Sequence, residues 1–346
     1  MKHVLALALV SLATAFGLPG AAAVGVSAAA GVSPAAAHDK LPPASAASWY
    51  WEISPPDAGL CGLPATSAAY PQPGSANIWD TDLFLDSNTS TTNCKGHYTL
   101  GVPTGRSPVV QAIHAAGHYS VCYVEAGAYQ TGFPDDANFK AADYGNGAKR
   151  YNMQGYPNEW WFDVRGFAHY VAGDPSSLAG AAVDIAAQLG KRLRGCALEG
   201  QDAVEPDDLD GYTNASDTGA KGGGWGLTRA DDAGFQRWLA YQAHADGLAV
   251  FQKNDPAEAS ADEPLFDGVI TEECNYYKDP CAGSNGDWNV YLKAGKPVLD
   301  AEYVEDGEKL AKFCAADHRY GIYGALFSVN LDGSHYQVCW NASNQP

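Results

Sequence analysis

The sequence predicts an α/β chain closed into a single-domain (β/α)8, or TIM, barrel, and three observations point there. Short β-branched or aromatic runs alternate with helix-spaced apolar residues along the 346-residue chain. Glycines stand just ahead of several runs, where a helix C-cap belongs, and acids or other polar groups close most of the runs. Repeated helix–glycine–strand units call for parallel strands with crossover helices, and eight such units at this length make a barrel. A doubly wound open sheet is the alternative. It calls for a glycine-rich nucleotide loop after the first strand, and none follows it.

The candidate strands are 49–53, 77–83, 119–126, 160–164, 203–205, 248–253, 268–271, 297–301 and 321–327. Nine runs for eight places make one an expected addition. Leu178, Ala182, Ile185, Leu189 and Leu193 repeat at helical spacing, as do Phe235, Trp238, Leu239 and Ala243. Thr228 and Asp231 have the spacing of an N-terminal cap. Gly117, Gly195, Gly247, Gly295 and Gly321 are the expected C-caps.

Lys2 is the only charged side chain before Asp39, residues 4–18 are apolar, and small residues follow. This is the pattern of a secretory signal, with cleavage expected after Ala23 or Ala37. Pro19-Gly20 interrupts the run before the roughly 20 apolar residues of a membrane span. Residues 1–37 are therefore expected to be a signal and low-complexity leader, and 48–342 the domain of a secreted, extracellular protein, expected to be a monomer with no membrane partner.

The eight cysteines are Cys61, Cys94, Cys122, Cys196, Cys274, Cys281, Cys314 and Cys339. An even count in an exported chain reads as disulfides, and zinc lacks its Cys-x-x-Cys and His-x-x-x-His spacings. Spacing favours Cys274–Cys281 and Cys314–Cys339; Cys61–Cys94 and Cys122–Cys196 follow by elimination. Without Lys2, 20 basic residues face 40 acidic ones. That balance excludes nucleic acid as a partner, because phosphates need Lys and Arg. It suits a cationic partner, although acidity also serves solubility.

In a barrel the C-terminal strand ends converge on the active-site face. Here they carry Asp80 and Asp82, Glu125, Asp163 and Arg165, Glu205, Asp207, Asp208 and Asp210, then Lys253, Asn254 and Asp255, Glu272 and Glu273, and Glu302. One acid at a strand end is usually a loop cap; seven acid-bearing ends require a substrate, metal or hydrogen-bond network to offset their repulsion. No Gly-x-Ser-x-Gly elbow and no His-Glu-x-x-His motif exists. Paired-carboxylate cleavage of a glycosidic bond remains, with no metal or cofactor required. Tyr123, Trp160, Tyr212, Tyr276 and Tyr303 lie near strand ends and suit sugar stacking. The segment Gly222-Gly223-Gly224-Trp225-Gly226 reads equally as a mobile loop placing Trp225 over the site or as a plain surface loop.

At these residues the chain resembles the endo-α-1,4-polygalactosaminidases of glycoside hydrolase family 114. The matching pieces are Trp79-Asp80-Thr81-Asp82, Val121-Cys122-Tyr123, Glu159-Trp160-Trp161-Phe162-Asp163-Val164-Arg165, Glu205-Pro206-Asp207-Asp208-Leu209-Asp210-Gly211-Tyr212, Lys253-Asn254-Asp255, Glu272-Glu273-Cys274 and Glu302-Tyr303. The resemblance implies a TIM barrel acting on a cationic amino-sugar polysaccharide, with catalytic acids at Asp207 and Glu272. Asp208 stands where the family usually has Asn, and Glu125 where a small or hydroxyl residue is common. Lys253 and Arg165 are expected to hold Asp207 ionised as the nucleophile, and Glu273 with aromatic neighbours to hold the proton of Glu272 as acid/base. The remaining strand-end groups are expected to bind substrate, and the segment from Thr213 to Gly226 to shape a subsite. The alternatives are a glycosidase for neutral or N-acetylated polysaccharide and a non-catalytic carbohydrate-binding barrel.

Overall fold

The computed structural model describes residues 41–42, 48–53, 76–84, 102–277, 281 and 287–339. The expected leader and the Cys61–Cys94 bridge lie outside these residues.

Eight parallel strands form the barrel: β1 (Trp49–Glu52), β2 (Ile78–Asp82), β3 (Tyr119–Glu125), β6 (Ala203–Asp207), β7 (Ala249–Lys253), β8 (Gly268–Glu272), β9 (Val298–Tyr303) and β10 (Tyr323–Phe327). Each pairs in parallel with the next. β1 returns against β10: the Trp49 ring stands edge-on to Phe327 at 5.2 Å, and the Ile53 amide donates to the Leu331 carbonyl at 3.0 Å. A short β11 (Tyr336–Val338) adds antiparallel to β10.

The ninth run is the addition. It forms β5 (Glu159–Trp161), which pairs antiparallel with β4 (Ala128–Gln130) outside the barrel. The barrel place beside β3 is taken by β6, which pairs with it in parallel from Val121–Ala203 to Glu125–Asp207.

Between barrel strands lie α1 (Pro108–Ala115), α2 (Ala182–Glu199), α3 (Arg229–Ala245), α4 (Ala259–Asp262), α5 (Asn289–Lys293) and α6 (Leu310–Tyr320). Thr228 and Asp231 form the expected capping box on α3. Gly117, Gly247, Gly295 and Gly321 adopt the left-handed conformation of a C-cap, but Gly195 lies inside α2, whose cap is Gly200 at φ 96°. Gly195 serves close approach instead: a Cβ there would sit 2.6 Å from Val102. Among the described residues, no helix is long and apolar enough to cross a membrane.

Alternation along the strands sorts the core into two layers. Trp51, Val121, Tyr123, Phe251, Ile270, Ala301, Tyr303 and Phe327 cluster inside the barrel. Cys122, Val124, Val204, Val250 and Val269 face outward onto Ile185, Leu189, Leu193, Phe235 and Trp238 of α2 and α3. Burial on both faces is why the strands read as near-continuous apolar runs. Disulfides join Cys122 to Cys196, Cys274 to Cys281 and Cys314 to Cys339, as expected.

One buried ion pair ties α2 to the barrel mouth. Arg192 donates to both Asp135 oxygens at 2.9 and 2.8 Å and to the Glu125 carbonyl at 2.6 Å. Its guanidinium lies 5.0–5.7 Å from the rings of Phe139, Phe133 and Phe84. Truncation would leave Asp135 buried without its cation. Arg192→Ala is therefore expected to destabilise the fold by roughly 3–5 kcal/mol, read by chemical denaturation; a loss below about 1 kcal/mol would refute this account of the pair.

Candidate active site

Two barrel strands carry an inward pair of acids at alternate positions, one member two residues deeper than the other, while β3 and β8 carry one each, Glu125 and Glu272. On β2 the pair is Asp80 and Asp82; on β6 it is Glu205 and Asp207. Two residues correspond to about 6.6 Å of strand. The deeper members, Asp80 and Glu205, are fully buried, while Asp82 and Asp207 reach the cleft.

Lys253, at the end of β7 and 1 % exposed, joins the two levels. Its ammonium lies 3.0 Å from Glu205, 2.9 Å from Asp207 and 3.3 Å from Glu272, and 4.6 Å from the Trp51 ring centre. Burial alone would push its pKa down; the charges of Asp207, Glu205 and Glu272 carry it well above the usual lysine value. Burial, then the neighbouring Glu205 carboxyl, pushes Asp80 well up, which favours its protonated form. Burial raises Glu205 to about 7, against the pull of Lys253.

Asp207 and Glu272 are the two carboxylates that touch Lys253 and also reach solvent, their side chains 18 % and 26 % exposed. Asp207 accepts from the Tyr123 hydroxyl at 2.9 Å and the Asp208 amide at 2.7 Å. Glu272 accepts from the Tyr303 hydroxyl and, at 3.2 Å, from the Asn254 side chain. Asn254 also accepts from the Glu272 amide at 2.9 Å, fixing that side chain from both ends. Donors thus surround Glu272, where the sequence suggested an apolar, acid-repelled setting.

The loops leaving these strands turn sharply. Asp208, Asn254, Asp255 and Glu273 have φ of 59°, 45°, 57° and 54°, a left-handed conformation that costs a non-glycine residue energy and clusters at functional sites. Gly127 is needed opposite them: a Cβ there would lie 1.8 Å from the Asp208 carbonyl oxygen.

Two chambers of about 440 and 320 Å³ meet at Glu272 and share Met153, Tyr156, Asp208, Asn254, Glu272 and Glu273. The first continues along Asp210, Asp255, Tyr277 and Trp161; the second along Asp82, Tyr123, Glu125, Glu159, Asp207 and Tyr303. Carboxylate oxygens of Glu125, Glu159 and Asp208 lie within 4.8 Å of one another, a set able to hold a cation. Burial, followed by neighbouring charge, raises Glu125 to about 8 and Glu159 to about 7, and lifts Asp208 well up. The other acid-rich group, Asp300 with Cys274 and Cys281, has its sulfurs in a disulfide.

Several expected site residues lie elsewhere. Asp163 and Arg165 follow β5, outside the barrel, and pair with each other at 2.6 Å, so Arg165 is not a partner of Asp207. Glu302 alternates outward from Tyr303 and accepts from the Asn275 amide at 2.7 Å. Tyr212 donates to Asp255 and Glu258, both at 3.2 Å, behind the cleft. Trp160 packs beside Tyr129 and Tyr144, leaving Trp161 to line the cleft. Tyr276 gives its place to Tyr277. Trp225 stacks on Tyr151 at 3.8 Å and donates to the Trp161 carbonyl at 2.8 Å, while Gly222–Gly224 are buried, so that loop is a packed support. Sequence reading missed Met153, Gln154 and Tyr156, which sit on irregular chain without periodicity, and Glu159, the first residue of β5.

The raised carboxyls fix the direction of the pH dependence of stability. Each binds its proton more tightly folded than unfolded, so stability is greatest near the unfolded pKa of about 4 and falls as pH rises to the folded values. With Asp82, Glu159 and Glu205 at about 7 and Glu125 at about 8, the melting temperature is expected to fall between pH 5 and 8. Calorimetry across that range checks it; a melting temperature that rises with pH would contradict the assignment.

The model of glycoside-hydrolase family GH114 matches residues 30–344. No curated protein matches the sequence. Among solved structures, Ega3 of Aspergillus fumigatus, in complex with galactosamine, is similar with a TM-score of 0.62 and 23% identity, covering 87% of this chain and 98% of its own. The glycoside hydrolase domain of PelA from Pseudomonas aeruginosa gives 0.48 and 14%, covering 83% and 96%.

Proposed function

The chain belongs to glycoside-hydrolase family GH114 and is a glycoside hydrolase; from that premise we propose that it cuts an α-1,4-linked galactosamine polymer internally, outside the cell, by a retaining mechanism on Asp207 and Glu272. The observation that carries this reading is the single buried ammonium touching both carboxylates. The contacts of 2.9 and 3.3 Å, laid end to end, limit the separation of the two contacting oxygens. That limit is short of the roughly 6.5 Å at which inverting pairs begin.

Position divides the roles. Asp207 is the less exposed and is held by a lysine, a tyrosine hydroxyl and a backbone amide, which suits a nucleophile whose charge must be fixed in place. Glu272 reaches further into the cleft, which suits a group that must first protonate the leaving oxygen and then take a proton from water. In the first step the Asp207 oxygen bonds to the anomeric carbon as its bond to the leaving oxygen breaks, and the Glu272 proton moves to that oxygen. In the second, water reverses the attachment and returns a proton to Glu272.

Charge selects the sugar. Lys253 is committed to the floor, so Asp82, Glu125, Glu159, Asp208, Asp210 and Asp255 face the cleft with no cation of its own. Free amines on galactosamine supply that charge, and the Ega3 complex with galactosamine supports the same sugar. The three described disulfides support an extracellular site of action.

Product analysis on deacetylated galactosamine polymer, its fully N-acetylated form and neutral polysaccharides tests the substrate. Shortening of the cationic polymer, weakened by added salt, is expected; equal rates on the acetylated form without a salt effect would favour a neutral substrate. Asp207→Asn and Glu272→Gln should each remove at least about 10²–10⁴-fold of the activity while the protein stays folded. Asp208→Asn should be mild, since Asn tolerates the left-handed backbone found there. A folded Asp207→Asn or Glu272→Gln variant that keeps near-normal turnover would defeat the assignment.

A further inference from the structure

Two exposed tyrosines border the cleft, and the chemistry above uses neither. Tyr156 is 56 % exposed and Tyr277 66 %. They come from different parts of the chain, Tyr156 from the turn before β5 and Tyr277 from the loop after β8.

Tyr156 is exposed on a fixed backbone. Its amide donates to the Met153 carbonyl at 3.2 Å, and its carbonyl accepts from the Asn152 side chain and the Glu159 amide, both at 3.1 Å. The residue borders both chambers, so it stands over their junction, where Glu272 and Asp208 are also shared. Burial, then the charges of Glu272, Asp208, Glu159 and Asp207, raises its phenol to about 12. Among the described residues that hydroxyl has no hydrogen-bond partner.

Tyr277 borders only the larger chamber. Its amide donates to the Glu273 carbonyl at 3.0 Å, closing one turn, and its ring stands edge-on to Tyr276 at 4.9 Å. The Glu273 carboxyl beside it gives the ring a polar setting rather than an apolar one. A large ring left in water at the outer end of a polar cleft gains nothing for folding.

We propose that Tyr156 and Tyr277 are sugar-stacking platforms, Tyr156 over the unit undergoing cleavage and Tyr277 at a separate subsite further along the same chain. This rests on the glycosidase reading and adds where the polymer lies. Each ring offers an apolar face to the C–H face of a pyranose, and its π-face attracts the ammonium of an amino sugar. Two chambers that share Glu272 and its neighbours give a chain more than one place to lie, which is what internal cleavage needs. Binding at the Tyr277 subsite then contributes to the reaction from a distance.

Affinity electrophoresis in gels containing deacetylated galactosamine polymer reads binding without turnover; chain shortening reads cleavage. Wild type, Tyr277→Ala, Tyr156→Ala and Tyr156→Phe are compared, with thermal melts to confirm folding. Tyr277→Ala should lower retardation and cut the preference for polymer over an aryl galactosaminide by roughly three- to tenfold, mainly through KM. Tyr156→Ala should lower turnover on both substrates, with Tyr156→Phe recovering the stacking part. Wild-type retention and unchanged substrate preference in Tyr277→Ala, or unchanged turnover in Tyr156→Ala, overturns the assignment of that tyrosine. A wild type that ignores this polymer but cleaves a neutral polysaccharide defeats the substrate instead, and the same comparison on that polysaccharide still decides the tyrosines. A wild type retained by no polysaccharide overturns both.

Discussion

The ammonium of Lys253 is the constraint on which the rest of the site depends. A buried lysine is costly on its own, and two carboxylates brought together at a barrel mouth repel each other. Each cost offsets the other only because Glu205, Asp207 and Glu272 close on one nitrogen. The lysine also lies on the face of Trp51, which keeps water from the side not covered by acids. Beneath it, Asp80 is fully buried beside Glu205, a setting that favours its neutral form. The charge of the layer that holds Asp207 and Glu272 is thereby influenced from below, by residues that never meet solvent.

Holding that layer in place requires the chain to leave the barrel abruptly. After β6, β7 and β8 the first residue beyond the strand is left-handed: Asp208, Asn254 and Glu273. Each turn lifts the following loop away and leaves the last strand residue, Asp207, Lys253 or Glu272, facing the cleft. Gly127 admits the Asp208 carbonyl where any side chain would collide, and its amide donates to the Asp207 carbonyl at 3.0 Å. Arg192 reaches through from α2 to hold the Glu125 carbonyl and so the end of β3. The strain at the mouth is carried by a packed, cross-linked frame behind it.

The barrel was legible because strands buried on both faces read as apolar runs and because acids close most of them. What periodicity does not give is which of two neighbours faces inward. Glu302 and Tyr303 both ended a strand, and only Tyr303 reaches Glu272. Trp160 and Trp161 stand side by side on β5, and only Trp161 lines the cleft. A slip of one residue exchanges the two faces of a strand, and composition is silent about it. Local pairing was equally hidden: Arg165 looked like a partner for Asp207 but closes on Asp163, two residues away. Arg192 could have been found from its place beside Leu189 and Leu193 on the buried stripe of α2, where an unpaired charge is not tolerated.

Depth separates two functions of acidity that look alike in the sequence. The inner acids sit against a cation, Glu205 directly on Lys253 and Asp80 beside Glu205. The outer ones have none: Glu125, Glu159 and Asp208 crowd within 4.8 Å with no basic side chain among the cleft-lining residues, and burial with neighbouring charge favours the protonated form of each. Such a set stores electrostatic free energy that only protonation or an incoming cation releases. Two of its three members, Glu125 and Asp208, stand where the resembling family more often has uncharged residues. Replacing either by its neutral counterpart would relieve the crowding at once, yet both are carboxylates here. The crowded carboxyls at the mouth lie beside the Asp207–Glu272 pair, where a positively charged sugar could take the place of their protons.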